Sequence, residues 1–121
     1  IDGDLNINNQ IHVDEGGFLA FFVTGDINIG TNVNSEDGQP AIEGMYVADG
    51  TISTGFANTK LILEGTYVGY TNVNLQRDFD GPRNSTEPVE VFRYRPDFRL
   101  SAPRFLYRPQ IYWEEVAPWR I

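Results

Sequence analysis

Residues 1–7 read IDGDLNI, and residues 23–29 repeat them as VTGDINI at an offset of 22, with the Gly-Asp pair and the Asn unchanged. A second pair of matching stretches, IEGMYV at 42–47 and LEGTYV at 63–68, has an offset of 21. The stretch FLAFFV at 18–23 takes the equivalent place 24 residues before 42–47. Repetition at a period of 21 to 25 residues is typical of proteins in which each repeat forms one coil that stacks on the next.

Alternation inside these repeats predicts short β-strands. Leu5 and Ile7 would face one side of a strand and Asn6 the other, because successive side chains point to opposite faces. Gly, Asn and Asp punctuate the corners, where positive φ and local hydrogen bonds are needed. Helical periodicity is nearly missing, so we expect one short helical turn at most, as a cap. The sequence thus predicts an all-β fold, a short parallel β-solenoid of 21–25-residue coils with right-handed winding.

The composition changes in the last third of the chain. Residues 1–70 hold ten acids and one base, Lys60, whereas every arginine lies in the last 45 residues, with six of the seven prolines and both tryptophans. We therefore expect the coils to occupy residues 1–75 and an extended Arg/Pro/aromatic tail to occupy residues 76–121. The two would form one structural domain.

This tail has the charge to pair with the coils. Alternation over residues 89–95 predicts a strand that ends at Pro96. We expect the tail to lie along the acidic wall of the solenoid or over its open end, with its arginines paired to Asp and Glu. The alternative is that it contacts a neighbouring subunit. The side chains available for such a contact are Arg93, Tyr94, Arg95, Arg99, Arg104, Tyr107, Arg108, Tyr112, Trp113 and Trp119.

Charge and composition exclude several classes of function. Nine Lys and Arg against 17 Asp and Glu give a net charge of -8, which would repel nucleic acid and anionic membrane surfaces. The chain has no Cys, so it has no thiolate metal site and no thiol nucleophile. Its longest apolar stretch, Phe18–Val23, is too short to span a bilayer. No nucleic-acid partner and no membrane span are therefore expected.

The residues that could carry catalysis are few. The single histidine, His12, should face solvent, opposite its apolar neighbours, and without a second His or Cys it makes a metal site or a catalytic triad improbable. Glu43 and Glu64 would stack about 5 Å apart in adjacent coils, a spacing that glycoside hydrolysis can use. Their repetition favours a structural role, so we expect no catalytic residues.

Acidic corners suggest one metal. Asp4, Asp26 and Asp49 are the calcium candidates, because stacked oxygen ligands suit Ca²⁺. Neither an EF-hand loop nor the nonapeptide of calcium-binding β-rolls is present in the sequence. Stacked Asp and Asn side chains more often satisfy one another from coil to coil, so we expect no cofactor.

Aromatic residues recur with the period. Tyr46 and Tyr67 occupy equivalent positions, and an offset of 24 places Phe22 one coil earlier. The sequence predicts that these three rings stack inside the solenoid, and the alternative is an outer platform for sugar rings or another protein.

Several stretches together resemble a known family. They are AIEGMYVADGTI at 41–52, LEGTYV at 63–68, LQRD at 75–78, PVEVFRYRPD at 88–97 and WEEVAP at 113–118. They resemble the C-terminal half of large bacterial surface proteins related to pilus assembly. Those proteins are similar to minor pilins, with a membrane helix followed by a β-solenoid. The resemblance implies an exported, pilus-associated structural module with no catalytic residues to carry over.

Two functions follow as expectations. The first is a non-enzymatic extracellular or cell-surface module, structural or adhesive, that associates with itself as a filament subunit or with another surface protein. The second is a β-helix that binds or cleaves carbohydrate. Convergence of the two glutamates and tyrosines in an open groove would favour the second, and a wall covered by the tail would favour the first.

Overall fold

The computed structural model describes residues 1–107, which form a β-solenoid of about three turns built from two parallel sheets. In the first sheet, β1 (Leu5–Ile7), β3 (Ile27–Ile29), β5 (Thr51–Ser53) and β7 (Asn72–Asn74) lie side by side in that order. The second sheet contains β2 (Ala20–Val23), β4 (Ile42–Ala48), β6 (Leu61–Gly69) and β8 (Glu90–Arg93). Each coil therefore contributes one strand to each sheet, which confirms the predicted solenoid.

The first sheet shows the repeat directly. Leu5 pairs with Ile27, Ile27 with Ile52, and Ile52 with Val73, which are steps of 22, 25 and 21 residues. On the opposite face of this sheet, the Asn28 amide donates to Oδ1 of Asn6 at 3.2 Å. The apolar ladder faces inward and the polar ladder faces outward, as the alternation predicted.

The core lies between the two sheets. Its side chains are almost all aliphatic and are 4% exposed or less: Ile7, Val23, Ile27, Ile29, Val33, Ala41, Ile42, Ala48, Ile52, Leu61 and Leu63, with Tyr46 among them. Burial of each large member contributes about 1.5–3 kcal/mol. Stacking of coils thus provides the stability that a disulfide-free chain needs.

The aromatic ladder is shifted by one residue from the prediction. Phe21, and not Phe22, pairs with Tyr46, and the two rings stack at 5.5 Å between centroids. Tyr46 and Tyr67 stack at 5.2 Å, as predicted. The step from β2 to β4 is 25 residues, one more than the sequence match assumed, and because side chains alternate along a strand, the shift moves Phe22 to the outer face. There it lies beside Val47 and is 47% exposed.

The predicted strand at residues 89–95 is present as β8, and it adds a fourth rung to the second sheet. Leu61 pairs with Glu90, a step of 29 residues, because a longer loop precedes this rung. The loop contains a 3₁₀ turn at Pro82–Ser85.

The expectation of one helical turn at most was wrong. Besides the 3₁₀ turn, the described residues contain α1 (Phe98–Ser101) and α2 (Arg104–Tyr107). Pro96 and Pro103 lie just before these two turns, and the fixed φ of proline suits the entry to a helix. Residues 98–107 are therefore not extended as the composition suggested. No helix among residues 1–107 is long and apolar enough to cross a membrane.

Candidate functional site: a carboxylate–arginine cluster and an adjoining groove

Glu43 and Glu64 lie side by side on the outer face of the second sheet. The two residues pair in register between β4 and β6, as the repeat predicted. Ile42 and Leu63, the residues before them, are fully buried, so alternation directs the two carboxylates away from the core. Their side chains are nevertheless only 11% and 16% exposed, because the tail covers them.

Arg95 provides the cover. Its Nη1 lies 2.6 Å from Oε1 of Glu43 and 3.7 Å from Oε2 of Glu64. Its Nε and Nη2 donate to the two carboxylate oxygens of Asp97 at 2.8 and 2.7 Å, and Nη2 also donates to the carbonyl of Val13. The hydrogen bonds to Asp97 and its charge, followed by the charges of the two glutamates, raise the pKa of Arg95. We name Glu43, Glu64, Arg95 and Asp97 the carboxylate–arginine cluster.

The loop after the first strand completes this cluster. Nδ1 of His12 lies 3.0 Å from Oε2 of Glu43, and the same oxygen accepts the backbone N–H of Val13 at 3.1 Å. The His12 side chain is 51% exposed, so the prediction that it faces solvent is confirmed. Its contact with Glu43 was not foreseen, because residues 12–19 fall outside the strands of the repeat.

Aromatic contacts fix the tail beside the cluster. The Arg95 guanidinium lies 4.4 Å from the centre of the Phe98 ring. Phe98 is 7% exposed and meets Phe18 edge to face at 5.7 Å. Arg95, through its ion pairs, and Phe98, through its apolar contact, therefore hold the same tail segment against the outer face of the second sheet.

Asp97 gives the cluster a pH dependence. The hydrogen bond from Arg95 lowers the pKa of the Asp97 carboxyl. The stability it contributes is thus complete above the unfolded-state pKa, about 3.9, and is lost as the pH falls through the lower folded-state value. We expect the urea midpoint of Asp97→Asn to lie below that of the wild type at neutral pH and to approach it below about pH 4. A gap between the two midpoints that stays constant over this pH range would contradict the assignment.

Arg83 of the tail also pairs with a glutamate of the coils, as expected, and Lys60 of the coils pairs with a glutamate of the tail. Arg83 Nη2 lies 3.0 Å from Oε2 of Glu36, two coils away, and Lys60 Nζ lies 2.6 Å from Oε2 of Glu87. Hydrogen bonds from Arg83 and the Lys60 backbone lower the pKa of Glu36, the Arg83 side chain being the larger cause. These pairs are at the surface and each contributes little to stability.

Arg77 is the residue that sequence reasoning missed most clearly. The tail arginines were expected to pair with Asp and Glu, yet Arg77 is 5% exposed and donates to carbonyl and hydroxyl oxygens. Its Nε donates to the carbonyl of Thr54 at 3.0 Å, Nη2 to the carbonyl of Gly30 at 3.0 Å, and Nη1 to Oγ1 of Thr59 at 3.1 Å. Burial lowers its pKa. One guanidinium thus joins the corners of successive coils.

The calcium candidates do not converge. The Asp4 carboxylate accepts the backbone N–H of Asp26 at 2.8 Å, and the Asp26 carboxylate accepts that of Thr51 at 2.7 Å. Each carboxylate therefore caps the corner of the next coil, and a Cβ at Gly25 or at Gly50 would overlap it. Asp49 follows a different strand, β4. No group of three His, Asp or Glu among residues 1–107 is placed to hold a metal ion.

The candidate interaction residues occupy different settings. Arg95 is in the cluster, and Arg93 approaches Glu64 at 3.7 Å while remaining half exposed. Tyr94, Arg99 and Arg104 are exposed, and Tyr107 ends α2. Arg108, Tyr112, Trp113 and Trp119 lie outside the described residues.

A groove on the same face is left uncovered by residues 1–107. Its floor is Val47 and Val68, which are paired neighbours on β4 and β6. The exposed rings of Phe22 and Tyr70 border it, and Asp49 lies at its rim. The groove has a volume of about 360 Å³, enough for a large apolar side chain.

Comparison with protein-family models, with curated proteins and with solved structures found no match. The resemblance to pilus-assembly proteins therefore stays a prediction.

Proposed function

We propose that the chain is a non-enzymatic structural module of the cell surface or extracellular space, in which a rigid solenoid acts as a self-assembling filament subunit. The observation that carries this proposal is that Glu43 and Glu64 already form ion pairs with Arg95 of the same chain. A carboxylate pair that is to cleave a glycosidic bond must reach the substrate and an attacking water. Here the pair anchors the tail, so the wall is covered in the manner expected for a scaffold.

The fold supports the same proposal. Stacked coils make a stiff, elongated unit in which each repeat contacts its neighbours. The end strands of the two sheets, which residues 1–107 leave unpaired on one side, and the exposed apolar side chains provide surfaces for association. Stability comes from the core without disulfides. The pilus-associated setting rests on the sequence resemblance.

The test is the assembly state at neutral pH. We expect sedimentation velocity to show oligomers whose population grows with protein concentration, and negative-stain microscopy to show filaments or discrete assemblies. The comparison with and without calcium should show no difference, because Asp4 and Asp26 already cap backbone groups. A monomer that persists to the highest soluble concentration would contradict self-assembly.

Carbohydrate binding without cleavage is the second candidate. It is favoured by Tyr70 and Phe22, which are 74% and 47% exposed on a preformed sheet face, since aromatic rings present flat apolar surfaces to sugars. A glycan array screened with the wild type and with Tyr70→Ala tests it. Retention of a glycan by the wild type and its loss in Tyr70→Ala would support this candidate.

A further inference from the structure

The residues that line the groove favour some kinds of partner over others. Phe22, Val47 and Val68 offer apolar surface, and Asp49 contributes a negative charge at the rim. No lysine or arginine lines this groove among the described residues, and the wall around it belongs to the acidic half of the chain. An anionic partner is therefore disfavoured, and a partner that combines apolar side chains with positive charge is favoured.

The tail presents that combination on its outer side. Leu100 and Phe105, on α1 and α2, are 89% and 75% exposed. Arg99 and Arg104 lie next to them in sequence, are exposed, and form no ion pair with any residue of the range 1–107. We name these four residues the tail ridge.

Within one copy of the chain, tail residues already make apolar and charged contacts with the same sheet face. Leu106, in α2, lines a cleft with Met45, and Met45 also borders the groove. On that covered part of the wall, Arg95 binds carboxylates and Phe98 packs on Phe18. The groove lies on the same face and has the same pairing of apolar surface and negative charge, which residues 1–107 leave uncovered.

We infer that the groove of one copy binds the tail ridge of a second copy. Leu100 and Phe105 cover the valine floor, and Arg99 and Arg104 approach Asp49. The two surfaces differ, so the contact is head to tail, and each added copy leaves one groove and one ridge free to continue a filament or close a ring. This inference rests on the proposed function and names the contact that the assembly uses.

Two variants test this inference, and each alters one of the two surfaces. Phe105→Asp introduces a charge into the ridge, and Asp49→Lys reverses the charge at the groove. Both positions are exposed, so the coils should fold normally, and circular dichroism checks this. The control is Phe56→Asp, the same substitution at a phenylalanine that is 79% exposed in another cleft, beside Asp78 and Asp80. Leu100→Asp is the second ridge variant if Phe105→Asp disturbs α2.

We expect each blocked variant to associate at least about tenfold more weakly than the wild type, while Phe56→Asp assembles normally. Mixing Phe105→Asp with Asp49→Lys should form a one-to-one heterodimer, because the first keeps an intact groove and the second an intact ridge. If both variants assemble as strongly as the wild type, or if mixing them gives no heterodimer, the inference is overturned and the proposed function still stands. A monomeric wild type overturns both. Glycan binding lost in Tyr70→Ala, with assembly unchanged, assigns the groove to carbohydrate and also overturns the inference.

Discussion

Replacing Arg77 by methionine should lower the free energy of unfolding by about 3–5 kcal/mol, although the residue lies in the part of the sequence that was predicted to be an extended tail. The methionine chain fills much of the same space but donates no hydrogen bond. The carbonyl of Thr54 would then be left without a donor, at a cost of about 1–3 kcal/mol, and the carbonyl of Gly30 would keep only the N–H of Val33. The loss falls at the corners of successive coils, so it acts on their stacking.

Urea denaturation followed by circular dichroism measures this loss. Arg83→Met is the matched control, since Arg83 also bridges coils through Glu36 but has a side chain that is 40% exposed. Its urea midpoint should stay close to that of the wild type, because exposed ion pairs contribute little to stability. Arg77→Lys should recover little of the loss, because an ammonium group cannot reach acceptors on several sides as the planar guanidinium does. Equal midpoints for Arg77→Met and Arg83→Met would show that the buried arginine does not join the coils.

Repetition explains what the sequence could predict. The Gly-Asp pairs of the first two coils indicated both the corner and the strand after it, because a carboxylate that caps the next coil needs a glycine there. Equivalence of Glu43 and Glu64 likewise predicted their register. Such features depend only on contacts between neighbouring coils, so they recur with the period and can be predicted from it.

Features that depend on loop length or on burial of a charge could not be predicted this way. One additional residue between β2 and β4 placed Phe21 inward and Phe22 outward, and no local pattern marks that residue. Arg77 and Arg95 have the same residue type and a similar polar context, yet one enters the corners of the coils and the other binds the outer wall. Composition predicted that tail arginines pair with acids, but the partners became apparent only from the folded chain.

The two equivalent glutamates allow a comparison in which residue type, strand position and face are held constant. Glu43 contacts Arg95 at 2.6 Å, His12 at 3.0 Å and the Val13 N–H at 3.1 Å, whereas the arginine contacts of Glu64 are both 3.7 Å long. We expect Glu43→Ala to lower the free energy of unfolding by about 2–4 kcal/mol, because it leaves a mostly buried guanidinium and a backbone donor with fewer acceptors. Glu64→Ala should cost about 1 kcal/mol or less.

Limited trypsin digestion distinguishes tail release from general unfolding in these variants. If the carboxylate–arginine cluster holds the tail on the wall, Glu43→Ala should be cut after Arg99 and Arg104 faster than Glu64→Ala, while the coils before residue 76 stay intact. A double-mutant cycle with Arg95→Ala should then give a coupling energy within the range of about 0.5–3 kcal/mol for Glu43 and near zero for Glu64. Equal coupling for the two glutamates would mean that Arg95 is held by the charge of the wall as a whole. A larger coupling for Glu43 would mean that Glu43 anchors the tail. Its carboxylate is also the one that contacts His12, so the loop after the first strand and the tail meet on this residue.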